Sequence, residues 1–255
     1  MNIQIISDLH GECLGSPKEL WNFIIPSASI VIVAGDIHSY RLEETLNELS
    51  TKFEKVIAIL GNHDYYMNNI LSVIDYKPDK SLLNENVVIL NRDCYELDDV
   101  VFIGCTLWSD FKNNDFSVNQ NAKLNINDFY RIKKQDFSRF TPDDAIEIFN
   151  LDKQFIIDSI EQYKNLGKKI VVITHFIPSY SLVLEKWKTY NNLLNYYFSG
   201  NCDSIIEKYN DDIDYFIFAH SHDATDKFLG NIRCICNPLG YPNENLIYET
   251  KVIKL

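Results

Sequence analysis

Nowhere does this 255-residue chain hold an uninterrupted apolar run of membrane-spanning length, which takes roughly 20 residues. Positive charge is also scarce: 24 Lys and Arg stand against 36 Asp and Glu, a formal net charge of −12. That balance argues against an extended nucleic-acid surface, because neutralising phosphates needs clustered cations. A small phosphate-bearing substrate is still permitted, since the local field of a pocket, not the global charge, governs binding. No C-x-x-C pair occurs among Cys13, Cys94, Cys105, Cys202, Cys234 and Cys236. Several of these lie in apolar, strand-like surroundings, so reduced, buried thiols are expected. Cys234 and Cys236 share one face of a strand-like run, a placement that suits packing better than metal binding. The first strand-like run starts at residue 3, leaving no room for the parts of a signal peptide, and a cytoplasmic setting is the expectation. Internal repeats, low-complexity tracts and linkers are missing too.

What is present reads as one globular domain over residues 1–255, with 46% apolar and 24% charged residues. Such a chain can bury a full core without disulfide or metal staples. Residues 3–6, 30–34, 56–60 and 170–174 are continuous runs of mostly Ile, Val and Leu, as in strands covered on both faces. Ser16-Pro17 opens a helical segment as N-cap and first-turn proline, and Leu42 to Leu49 carries apolar spacing near 3.6. Asp143 to Leu166 predicts a longer amphipathic helix, stopped by Gly167. Strand-like runs at 215–218, 227–229, 232–236 and 246–255 close the chain. Strand–helix alternation followed by a strand-rich tail predicts a layered α/β fold. Residues 109–142, rich in Asn, Asp and Phe, are the least regular stretch and read as an irregular insertion over the core.

Five of the six histidines sit in short motifs just after strand-like runs: Asp8-Leu9-His10, Gly61-Asn62-His63-Asp64, Thr174-His175 and His220-Ser221-His222. Gly35-Asp36 follows another such run. Imidazole and carboxylate together suit divalent transition metals such as manganese, iron, zinc, nickel or cobalt. Histidines placed for packing alone have no reason to collect at strand ends. A metal site is the first expectation.

The order D-x-H, G-D, G-N-H-D, a lone His after a strand, then H-x-H resembles the calcineurin-like metallophosphoesterase superfamily. The likeness runs from Asp8 to His222. Thr106 to Phe111, Asn127 to Ile132 and Cys236 to Pro242 look like a bacterial branch of predicted phosphoesterases within it. The resemblance implies a four-layer αββα sandwich and two divalent ions. By the same likeness Asp8, His10 and His222 hold one ion, Asn62, His175 and His220 the other, and Asp36 bridges them. A carboxylate can do this because it has two oxygens. The implied reaction is hydrolysis of a small phosphomonoester or phosphodiester by a metal-bridging hydroxide, with ions about 3.5–4 Å apart. His63 resembles the family's catalytic histidine, with Asp64 beside it to orient and charge the ring. A second class of function is a catalytically silent scaffold that binds a protein partner; loss of His63 or of several ligands would mark it, and here every position is filled.

Other residues are candidates by position. His38 lies two residues beyond Asp36 and could contact substrate; Arg131 could clamp an anionic group bidentately. Asp110 and Asp128 have similar standing, and Tyr65, Tyr66, Trp187, Tyr196 and Tyr197 could wall a pocket. Residues 109–142 and 180–200 are expected to border the metal cleft and to hold substrate choice. Three departures from the family wording stand out. Ala219 replaces the usual glycine before the last His pair, at a cost of order 1 kcal/mol if the site needs a positive φ. Ser221 stands where Thr is common. Phe176 stands where a second histidine often follows the lone one.

Overall fold

Ile- and Val-rich runs have no polar face to offer water, so they pair into sheets covered on both sides. In the computed structural model, which describes residues 1–66, 79–134, 136–190, 193–244 and 248–255, two mixed sheets form in this way. The strands are β1 (Asn2–Ile6), β2 (Ile30–Ala34), β3 (Lys55–Ile59), β4 (Val87–Leu90), β5 (Asp93–Leu97), β6 (Val100–Cys105), β7 (Lys169–Thr174), β8 (Tyr215–Ile217), β9 (Thr225–Leu229), β10 (Ile232–Cys236) and β11 (Lys251–Lys254). One sheet runs β11-β1-β2-β3-β4 and the other β5-β6-β7-β8-β10-β9. Pairing is parallel along β1–β2–β3–β4 and along β6–β7–β8–β10, with antiparallel strands only at the edges.

Alternation along each strand divides the core in two. Ile3, Ile5, Ile32, Ile57 and Ile59 meet Phe102, Val171, Ile173 and Ile217 between the sheets. Their neighbours Val31, Val33, Val56, Val101 and Val172 face outward into the larger core shared with the helices. The helices are α1 (Leu42–Leu49), α2 (Phe111–Asn114), α3 (Phe116–Asn125), α4 (Asp128–Arg131), α5 (Pro142–Tyr163), α6 (Glu185–Tyr190), α7 (Asn195–Phe198) and α8 (Asp203–Lys208). The sheets approach closely at β6, where a Cβ on Gly104 would lie 2.5 Å from Leu90 Cβ.

Several boundaries differ from the sequence reading. The long helix is Pro142–Tyr163, started by a capping box between Thr141 and Asp144, because a reciprocal cap fixes a helix start more firmly than apolar spacing. Ser16 opens only a 310 helix, Pro17–Asn22, and makes no side-chain cap. Of the run at 246–255, only Lys251–Lys254 is a strand, and residues 245–247 lie outside the described residues. The stretch 109–142 is not irregular, since it carries α2, α3 and α4. Its disguise is α2, where Phe111 to Asn114 all take left-handed φ between 50° and 61°. Such residues cost about 1–2 kcal/mol each; here the Asp110 carboxylate accepts from Asn113 N at 3.2 Å and the Phe111 ring is fully buried. All six cysteines are free, with Cys13 exposed and Cys94 half-buried. Among the described residues no helix is long and apolar enough to cross a membrane.

Candidate metal centre

Parallel strands in both sheets end at one edge, so the loops after β1, β2, β3, β7 and β8 converge. They carry Asp8 and His10, Asp36, Asn62 and His63, His175, and His220 and His222 respectively. Backbone bonds lace these loops together: Asp8 N to Gly35 O, His10 N to Asp36 O and Ala219 N to His175 O, each 3.0 Å. Two glycines allow the approach. A Cβ on Gly61 would sit 2.2 Å from Asp36 Oδ1, and one on Gly35 would sit 2.6 Å from His175 Nδ1.

The strain is not where the sequence suggested. Ala219 has no positive φ, whereas Asp8, His10, Asp36, His220 and His222 have φ of 50°, 43°, 52°, 72° and 53°. Asp and His tolerate this region better than most residues, and such conformations persist only where surrounding contacts over-determine them.

Side chains fall into two donor groups around Asp36. In the first, Asp8 Oδ1 lies 3.7 Å from His222 Nε2, and His222 Nε2 lies 2.9 Å from His10 Nε2. Each of these rings has its other nitrogen on a carboxylate: His10 Nδ1 on Glu12 at 3.1 Å and His222 Nδ1 on Glu244 at 2.6 Å. Those bonds use the Nδ1 protons and leave two bare Nε2 lone pairs facing one another, an arrangement a cation relieves. In the second group, His175 Nδ1 donates to Ala34 O at 2.9 Å. Its Nε2 then faces Asn62 Oδ1 at 3.0 Å, His220 Nδ1 at 3.2 Å and Asp36 Oδ1 at 3.4 Å. In the metal-free chain a proton can settle that cluster of acceptors. Burial opposes it, but the Asp36 charge raises His175 to about 9. Burial and the neighbouring His175 hold His220 neutral, well below the usual histidine range. Its Nε2 is buried and has no partner among the described residues. Burial would raise the Asp36 carboxyl, yet His175, His63 and His10 hold it well below its usual range. Its second oxygen lies 3.8 Å from His10 Nε2, so this one carboxylate reaches both groups. The donor set fits two divalent cations.

Residues 1–224 match the calcineurin-like phosphoesterases. The chain belongs to that family. It is 30% identical over 264 residues to an uncharacterized protein of Acanthamoeba polyphaga mimivirus, covering 95% of this chain and 92% of that one. In fold it is similar to a phosphopantetheinyl hydrolase of Mycobacterium tuberculosis, with a TM-score of 0.70 at 17% identity over 96% of this chain and 91% of the other. A dimetal phosphatase of Danio rerio is also similar, with a TM-score of 0.53 at 13% identity over 92% and 86% of the two chains. The four-layer α/β phosphoesterase fold expected from the motifs is the fold of this family member. Membership of that family, with the donor groups, supports a metal-binding hydrolase.

Beside the donor groups stands His63, outside both of them. Its backbone N donates to Asp36 Oδ1 at 2.8 Å, its Nδ1 meets Glu12 Oε1 at 3.0 Å, and Tyr241 OH reaches its Nε2 at 3.2 Å. Burial opposes protonation of this ring, but Asp36 and Glu12 raise it to about 9. Burial would also raise Glu12; the His10 and His63 hydrogen bonds outweigh it and hold that carboxyl well below its usual range.

Three expected roles need correcting. Asp64 does not orient His63: its carboxylate accepts from Ile37 N at 2.9 Å, His38 N at 3.0 Å and Gly61 N at 2.8 Å. The 310 turn at His63–Tyr65 directs neighbouring side chains to different sides, so adjacency in sequence is not adjacency in space. His38 is buried and its Nδ1 accepts from Tyr40 N and Arg41 N, which makes it a brace for the β2–α1 loop and not a substrate contact. Arg131 is exposed and holds its guanidinium 5.5 Å from the Tyr66 ring centroid, outside the lining of the cleft. Asp110 caps α2. Asp128 has the larger part: it accepts from Asn62 Nδ2 at 2.9 Å, from Tyr197 OH at 2.5 Å and from Tyr66 OH. Holding the amide nitrogen turns Asn62 Oδ1 toward His175.

The sequence reading missed Glu12, Tyr241 and Glu244. Tyr241 had already been included in the stretch from Cys236 to Pro242, and Glu244 lies two residues past it; Glu12 follows His10 at a spacing of two. Phe176 packs its ring 4.2 Å from that of His220, filling apolar space beside a neutral imidazole.

Proposed function

We propose that the chain is a metal-dependent phosphoesterase that hydrolyses a phosphomonoester or phosphodiester. The facing ring nitrogens of His10 and His222 on one side of the Asp36 carboxylate, and of His175 and His220 with Asn62 Oδ1 on the other, are the observation that carries this reading. Asp8, His10 and His222 would hold one cation, Asn62, His175 and His220 the other, and Asp36 both. Divalent cations there supply Lewis acidity to a phosphoryl oxygen and ionise water near neutral pH.

The rest is done by this chain's own groups. His63 faces the cleft with Nε2 and is the acid that hands a proton to the departing oxygen. Glu12 keeps the Nδ1 proton in place and so fixes the ring with Nε2 outward. Tyr241 holds Nε2 in position until substrate displaces its hydroxyl. Asp128 keeps the Asn62 oxygen, not its nitrogen, toward the ions, adding coordination without cancelling further positive charge.

The test is metal analysis followed by assay on 4-nitrophenyl phosphate and on bis(4-nitrophenyl) phosphate. Close to two ions per chain and chelator-sensitive hydrolysis of at least one ester are expected. Two bound ions with no hydrolysis of either would favour a silent scaffold. No bound metal after reconstitution with manganese or zinc would overturn the reading.

A further inference from the structure

The cleft does not stop at the donor groups. A cavity of about 620 Å³ is lined by Asp36, Asn62 and His63 and by a second set of walls from other segments, here termed the wing. Ligand sites commonly measure about 300–1,000 Å³, so this space holds a phosphoryl group plus a substantial organic part. The wing's apolar wall comes from Ile126, Val183, Leu184, Trp187, Leu194 and Phe198. These come from the loop after α3 and from the segment that follows His175, the two stretches that differ in kind from the strand-end loops.

Neutral amides are prominent among the polar groups of the wing. Asn125, Asn127 and Asn195 all line it, and the Asn127 side chain makes no hydrogen bond among the described residues, leaving it free to pair with a ligand. Cationic groups are nearly missing. Among the described residues the lining has one cationic side chain other than histidine, Lys186, and it pairs with Asp223 at 2.5 Å. Lys186 and Asp223 offset each other, while Asp128 and Glu244, the latter against His222, put further carboxylates along the same walls. A second phosphate or a carboxylate placed there would lose water and gain like-charge neighbours, which is costly.

Resting on the phosphoesterase reading, we propose that the wing binds the leaving group of the substrate and that this group is uncharged: an alkyl or aryl chain carrying amide or hydroxyl groups. The phosphoryl group is then the ester's single anionic part. An anion-gripping role for Arg131 is not needed in this scheme.

A matched pair of probes tests this on the metal-loaded full chain. In 6-acetamidohexyl phosphate and hexane-1,6-diol bisphosphate the scissile ester and the chain are the same, and only the far end changes from amide to phosphate. KM for the acetamido ester is expected to be at least ten-fold lower than for the bisphosphate. Leu184→Asp and Trp187→Glu, each checked for unchanged metal content, should raise that KM at least ten-fold more than they raise KM for methyl phosphate. Equal or tighter binding of the bisphosphate overturns the proposal, as does an equal effect of both variants on the large and small esters. Failure to hydrolyse any of the three esters or 4-nitrophenyl phosphate would instead sink the phosphoesterase reading beneath it.

Discussion

Asp36 contributes one oxygen to each donor group, 3.8 Å from His10 Nε2 and 3.4 Å from His175 Nε2. Replacing one oxygen by an amide nitrogen therefore weakens both sites together. Asp36→Asn should reduce bound metal from near two to below one per chain and cut kcat/KM by at least about a hundred-fold, read by elemental analysis beside the assay. His63 stands outside both groups, so His63→Ala should keep both ions and lose about two to four orders of magnitude in kcat. Glu12→Gln removes the carboxylate that orders that ring and should fall between the wild type and His63→Ala. Loss of metal in His63→Ala equal to that in His175→Ala would reject the division of labour. Asp64 belongs to a different class: it satisfies three buried backbone N–H groups. Asp64→Ala should destabilise the chain by roughly 3 kcal/mol or more, measured by urea unfolding.

Among the elements, the tie between the two sheets at their far edge is electrostatic. Asp226 on β9 takes both Arg233 of β10 and Lys251 of β11, at 2.8 and 2.9 Å. Hydrogen bonds from Arg233 and Lys251 lower its carboxyl from 3.8 to about 2. A lowered carboxyl stabilises the fold above its ordinary value and loses that contribution as pH falls toward 2. Partial exposure limits the effect to about 1 kcal/mol. Asp226→Ala should lower the urea midpoint at pH 7, and the difference from wild type should vanish near pH 2. Gly104 tests the other joint. Gly104→Ala forces a Cβ to 2.5 Å from Leu90 Cβ and should cost about 1–3 kcal/mol by overpacking, visible as a lower Tm. The central strands were legible because both-face burial writes a continuous apolar run. Short, mixed segments such as β5, with its exposed Asp93 and Glu96, carry no such signature.

For the whole molecule, the donor groups join the two sheets, since Asp8, His10, Asp36 and Asn62 follow strands of one and His175, His220 and His222 strands of the other. Ions bound there act on the folded state alone. At a hundred times Kd one such ligand adds about 2.7 kcal/mol, and for a chain of this size each kcal/mol moves Tm by roughly 2–4 °C. Exhaustive chelation should therefore lower Tm by about 5–10 °C, with recovery on adding manganese or zinc. An unchanged Tm after verified metal removal would show that the ions do not staple the sheets.

The sequence by itself determined the strands that end at the site, the family, and the residue types offered there, because apolar runs and adjacent His and Asp are local patterns. Which nitrogen of each ring is bare was not local. It depends on Glu12, Glu244 and Ala34 O, the last of these 141 residues away from His175. The same holds for Asn62, whose amide is turned by Asp128, 66 residues on. Glu12 takes the part expected of Asp64 because side-chain direction in a loop follows its φ and ψ, and five of the donors take left-handed values that no residue pattern announces. The wing of the cleft is likewise tertiary, since it exists only where the loop after α3 and the segment after His175 face each other. Local physics chose the ligands, and long-range packing aimed them.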